Sequence, residues 1–157
     1  MRRVSKRIIS LFLVLVMLLA MIPAGTVLAS AASGSLDMTA EGLTATYAGD
    51  GTWTGGGNVA HGTVTGKGSL FKQSQSGSLT FTNTRSQAGY ISFDYKITEN
   101  TGSVTIAGNT VTGSGSYAPS AALGSGETVQ VVIKSGKGND KTTSIELTNI
   151  NLVVDVS

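Results

Sequence analysis

One histidine, nine carboxylates and no cysteine are what this chain offers to chemistry. The absence of cysteine removes thiol nucleophiles, thiolate metal sites and disulfides. His61 sits in Asn58-Val59-Ala60-His61-Gly62 with no partner fixed by spacing, and reads as a loop histidine. The serines of Gly113-Ser114-Gly115-Ser116 and Gly124-Ser125-Gly126 lie in turn-like contexts, without the strand-turn-helix setting of a nucleophile elbow. Asp94, Glu99, Glu127 and Glu146 are spaced as solvated strand and turn positions; a glycosidase would need two of them facing each other. Gly66-Lys67-Gly68-Ser69 and Gly136-Lys137-Gly138-Asn139 lack the spacing of a phosphate loop and read as β-turns. No catalytic site is expected. No cofactor is expected either, with calcium left open at Asp50-Gly51, Asn139-Asp140, Asp37 and Asp155, because calcium needs six to eight oxygens.

The chemistry that remains is recognition of neutral, hydroxyl-rich ligands. A sugar stacks its C–H face on an aromatic ring and spends its hydroxyls on hydrogen bonds. Trp53 is the single tryptophan, in Thr52-Trp53-Thr54 with glycines after it, and is the first candidate platform. Tyr117, in Ser116-Tyr117-Ala118-Pro119, is the second. Asn58, Thr52 and Thr54 are the candidate hydroxyl partners. Against this stands a plainer reading of each ring: Trp53 as a cap on the core, and Tyr117 as a packing residue of a turn.

Strands must position these residues. Ile91, Phe93, Tyr95 and Ile97 alternate with polar neighbours, as do Leu79 and Phe81, and Val129, Val131 and Ile133. Ile145 and Leu147 keep one phase, whereas Ile150, Leu152 and Val154 keep the other, which predicts a bulge near Thr148-Asn149. Val104–Ala107 and Thr110–Thr112 flank Gly108-Asn109, read as a two-residue turn that sets Ile106 opposite Val111. Residues 33–68 are glycine-rich and the least regular. Short strands are expected there at Leu43–Tyr47, Thr52–Thr54 and Thr63–Thr65, and Leu70-Phe71 opens the regular part. No stretch sustains helical periodicity. The fold class is therefore all-β: an antiparallel β-sandwich, jelly-roll-like, of about 8–10 short strands.

The N-terminus carries an address. Arg2, Arg3, Lys6 and Arg7 precede an apolar run from Ile8 to Ile22, then Pro23, Gly25 and small residues at Val27-Leu28-Ala29 and Ser30-Ala31-Ala32. This order describes a secretory signal peptide, residues 1–32, with cleavage after Ala29 or Ala32. The apolar run is shorter than the roughly 20 residues that span a bilayer. Residues 33–157 then form one extracellular domain, secreted or held at the cell surface. Four of the eleven basic residues leave with the leader, so seven basic and nine acidic residues remain and the net charge is −2. No Lys/Arg cluster of the kind that neutralises a row of phosphates is left, so nucleic acid is not an expected partner. Nor is the membrane, once the leader is cut. The Thr/Ser/Gly/Asn-rich, cysteine-free composition fits a Gram-positive surface protein.

Leu79-Thr80-Phe81-Thr82-Asn83, Tyr90-Ile91-Ser92-Phe93-Asp94-Tyr95 and the segment Val104–Val111 together resemble the carbohydrate-binding-module-like and lectin-like β-sandwiches of bacterial surface and secreted proteins. Leu147-Thr148-Asn149-Ile150-Asn151-Leu152 is similar to their late strand. Thr148 stands where relatives often carry Asp, a departure from an inherited calcium site. The resemblance implies a non-catalytic binding or adhesion module, with cell-wall or extracellular polysaccharide as partner. The alternative is a structural spacer or assembly module of a larger surface protein. An exposed Trp53 would favour binding; a buried Trp53 and a smooth Thr/Ser face would favour the structural role.

Overall fold

The structure, a computed structural model, describes residues 32–156. The leader expected at 1–32 lies outside them except for Ala32. Eleven strands are present among the described residues: β1 (Gly34–Leu36), β2 (Leu43–Gly49), β3 (Thr52–Gly56), β4 (Val59–Thr65), β5 (Ser76–Asn83), β6 (Gly89–Asn100), β7 (Ser103–Ile106), β8 (Asn109–Val111), β9 (Ser114–Tyr117), β10 (Thr128–Lys134) and β11 (Thr142–Val154). They form a six-stranded sheet, β1-β2-β5-β10-β7-β8, and a five-stranded sheet, β3-β4-β11-β6-β9. Every strand pairing is antiparallel. Apart from the hairpins β1–β2, β3–β4 and β7–β8, each connection crosses from one sheet to the other, so the two sheets pack as a jelly-roll-like sandwich. The strands are not all short: β6 has 12 residues and β11 has 13.

Period-two alternation builds the core. Leu79, Phe81, Val129, Val131 and Ile133 from one sheet, and Ile91, Phe93, Ile145 and Leu147 from the other, are buried. Phe81 and Phe93 meet across the sandwich at 5.5 Å between ring centroids, and Tyr117 stacks on Phe93 at 5.0 Å. The phase change in β11 is realised as a bulge between Thr148 and Asn151, with Asn149 at φ 53°. The bulge turns Ile150 and Leu152 back into the core after Leu147.

Three local expectations are corrected. The β7–β8 turn is Ala107-Gly108, at φ 50° and 79°, one residue earlier than Gly108-Asn109. Val111 therefore faces Val104, and Ile106 faces Asn109. Both central residues of a type I′ turn need positive φ, and this register lets Ile106 lie opposite Val131 of β10. Residues 33–68 are no less regular than the rest: β1 to β4 occupy most of them, and the strands expected at Leu43–Tyr47, Thr52–Thr54 and Thr63–Thr65 fall within β2, β3 and β4. Their glycines serve close packing: a Cβ on Gly62 would stand 2.6 Å from the nearest ring atom of Trp53. Leu70-Phe71 opens no strand; it lies in the loop between β4 and β5.

One polar side chain is fully enclosed. Asn83 is 0% exposed; its Nδ2 donates to the carbonyls of Gln87 (3.0 Å) and Leu123 (2.9 Å), and its Oδ1 accepts from Arg85 N–H (3.0 Å). It ties the end of β5 to two loops. Asn83→Ala should cost about 1–3 kcal/mol, the range for stranding buried hydrogen-bonding groups. A urea melt measures it, and an unchanged midpoint would refute this role.

Candidate functional site

The sequence candidates are not brought together. Trp53 lies in β3 and is 4% exposed, its indole packed over Gly62 of the paired strand. Tyr117 lies in β9, half-buried against Phe93, and burial pushes its hydroxyl pKa up. β3 and β9 are opposite edges of the five-stranded sheet, so the two rings cannot form one platform. Of the two readings of Trp53, its burial agrees with the cap on the core and not with an exposed platform. Alternation places it inward, because its flanking Thr52 and Thr54 take the solvent side. His61 is likewise not in a loop; it points outward from β4.

Thr52, Thr54 and Asn58 are exposed. Thr54 pairs with His61 across the β3–β4 hairpin, and Asn58 sits in its turn. Asn58 offers its backbone carbonyl to Ile150 N–H at 2.9 Å, which docks this turn against the β11 bulge. The result is an open hollow of about 380 Å³ lined by Thr39, Ala40, Asn58, Asn149, Ile150 and Asn151. A second hollow, of about 270 Å³, adjoins it along β11 and includes Thr54, His61, Glu146 and Thr148. Two of the five sequence candidates, Thr54 and Asn58, thus border these hollows.

The bulge gives Asp94, read from the sequence as a solvated strand acid, a partner that spacing did not show. Asp94, outward on β6, accepts from Ser116 Oγ (2.5 Å) and from Asn149 Nδ2 (2.7 Å). Those two bonds, Ser116's the larger in effect, hold its carboxyl pKa below the ordinary aspartate value. The stabilisation is therefore present above the ordinary value and lost as pH falls through the lowered one. The phase switch in β11 signals the bulge; the pairing of Asp94 with it needed the β6–β11 register.

For metals, Asp50 lies 3.8 Å from Lys67 and Asp140 3.5 Å from Lys141, while Asn139 Oδ1 accepts from Gly68 N–H at 2.7 Å. Among the described residues no three His, Asp or Glu side chains cluster as metal ligands.

The outer face of the six-stranded sheet is of another kind. Register rows such as Thr44–Thr82–Thr128, Thr46–Thr80–Gln130 and Ala48–Ser78–Val132–Thr105–Thr110 cross it. Gln130 Nε2 donates to Thr80 Oγ1 at 3.3 Å within the second row. Lys134, the last residue of β10, is the one charged side chain that the strands place on this face. No family model matches the chain, and no curated protein matches it significantly.

Proposed function

We propose that the domain is a non-catalytic extracellular module that works by surface contact, as a packing or assembly unit of an exported protein, through the outer face of its six-stranded sheet. The observation that carries this reading is that face: broad, hydroxyl-lined and almost uncharged. Threonine on a pleated sheet is stiff at χ1, so ordering it against a flat partner costs little side-chain entropy. The commitment of Trp53 to the core supports the same reading, since it withdraws the best sugar-stacking ring. Export rests on the leader composition of residues 1–32.

A second reading is favoured by one observation. Asn58, Asn149 and Asn151 converge on one hollow, beside a second that includes Thr54, and amides suit the hydroxyls of a glycan. One experiment separates the two. The purified domain is incubated with insoluble Gram-positive cell-wall material, and the retained fraction is measured for two variants. Thr80→Lys/Thr105→Lys should abolish retention while shifting stability by no more than about 1 kcal/mol, the span of surface strand propensities. Asn149→Ala/Asn151→Ala should leave retention intact. The reverse pattern would transfer the function to the amide hollow, and indifference to both pairs would remove both readings.

A further inference from the structure

Leu70 is 86% exposed and Phe71 84%, side by side at the tip of the β4–β5 loop. Single exposed apolar residues need no explanation, but a paired Leu-Phe held out on a fixed loop does. The loop is pinned. Lys67 and Gln73 exchange backbone bonds at 2.9 and 2.7 Å across its neck, and Gly68 N–H donates to Asn139 at 2.7 Å. Gln75 N–H donates to the buried Ser135 hydroxyl at 2.9 Å. The β10–β11 loop thus braces the β4–β5 loop.

The surroundings are basic. Strand directions bring the loops 49–52, 66–75, 100–103 and 135–141 to one end of the sandwich. That end holds Lys67, Lys72, Lys134, Lys137 and Lys141, five of the seven basic residues beyond the leader, against Asp50, Glu99 and Asp140. All five lysines are exposed. The opposite end carries Asp37, Glu41, Glu127 and Asp155 against Arg85. The domain is therefore polarised, although its net charge is slightly negative.

Chain direction adds a third observation. β1 runs from Gly34, level with Tyr47, toward Leu36, level with Ala45, while β2 ends at Gly49 on the basic end. The chain accordingly enters the domain heading away from the basic end.

We infer that this end docks on an anionic lipid surface, with Leu70 and Phe71 entering the headgroup–acyl boundary and the lysines facing acidic headgroups. Apolar insertion and polybasic attraction are the two signals that together give reversible membrane binding. Lysine stems let the ammonium groups reach the headgroups while the loop tip goes deeper. A domain that leaves its leader at the membrane would keep a peripheral hold there after cleavage. This goes beyond the surface-contact reading above, uses a different part of the molecule, and departs from the expectation that the membrane is no partner once the leader is cut.

Residues 33–157 suit the test, since both sheets and their shared core lie within them. The domain is sedimented with vesicles of phosphatidylcholine containing phosphatidylglycerol, and with vesicles of phosphatidylcholine alone. Binding to the anionic vesicles and not the neutral ones, weakened by added salt, is the expected result. Leu70→Ser/Phe71→Ser should lower the partition coefficient by at least about tenfold, given two lost apolar side chains. Lys72→Glu/Lys137→Glu should lower it by about tenfold or more. Thermal melts of both variants should match the parent, because all four residues are exposed. Failure to bind anionic vesicles, or binding that ignores the Leu70/Phe71 change, overturns the inference. So does self-association abolished by that change without vesicle binding, which would make a second copy of the chain the occupant.

Discussion

Trp53→Ala should unfold the domain more easily by about 3–5 kcal/mol, the usual cost of emptying a large aromatic site in a core. Trp53 is 4% exposed and belongs to the same buried cluster as Ala60 and Val64. Its six-membered ring lies over Gly62, where a Cβ would come within 2.6–2.8 Å of three ring atoms. The glycine and the tryptophan are thus a matched pair, and Gly62→Ala should also destabilise, by overpacking. Trp53 Nε1 is buried without a hydrogen-bond partner among the described residues. Trp53→Phe removes that stranded N–H as well as some volume, so it should fall nearer the parent than the alanine variant does. Urea melts of the three variants rank them. A Trp53→Ala protein that melts like the parent would mean that the indole is dispensable to the fold, and the residue would return as a binding candidate.

What the sequence made legible follows from where alternation is clean. β5, β6, β10 and β11 show strict apolar alternation of Leu79/Phe81, Ile91/Phe93, Val129/Val131/Ile133 and Ile145/Leu147, and all of these are core residues. The β11 bulge was readable because a change of phase in one strand has no cheaper solution. β3 and β4 were obscured by glycine, which signals loops unless something presses on the backbone; here the indole does. The β7–β8 hairpin offered two adjacent turn registers. The alignment of Ile106 with Val131, a contact with a strand some 25 residues away, selected between them. Leu70-Phe71 has the composition of a strand start and none of the alternation that would follow one.

The candidate site was less legible for a simple reason. Thr54 and Asn58 were found from their residue types, but Asn149 and Asn151 gain their meaning only from the turn that docks on them through the Asn58 carbonyl. Likewise Asp94 looks like any outward strand acid until Ser116 of β9 and Asn149 of β11 are placed on either side of it. Trp53 stayed open to two readings because flexible glycines follow it in sequence, while strand phase decides where its side chain goes.

Phe93→Ala should cost about 3–5 kcal/mol, with Lys96→Ala within about 0.5 kcal/mol. The two positions share β6 and differ in phase. Phe93 is 2% exposed, between Phe81 of the facing sheet at 5.5 Å and Tyr117 of the neighbouring strand at 5.0 Å. Its loss leaves a cavity at the one place where rings from both sheets and the β9 edge meet, and Tyr117 loses the surface it stacks on. β9 has only four residues and pairs with β6 alone, so it should be the first strand to fray in this variant. Lys96 points outward, opposite Glu146 and Ser114, and no ion pair holds it among the described residues. Denaturant melts give the two costs, and hydrogen exchange at Gly115 and Ser116 reports the edge. Equal costs at the two positions would mean that the strand's inward face has been misassigned. Unchanged exchange at β9 in a destabilised Phe93→Ala would mean that the edge is held by its backbone bonds and not by the stacked rings.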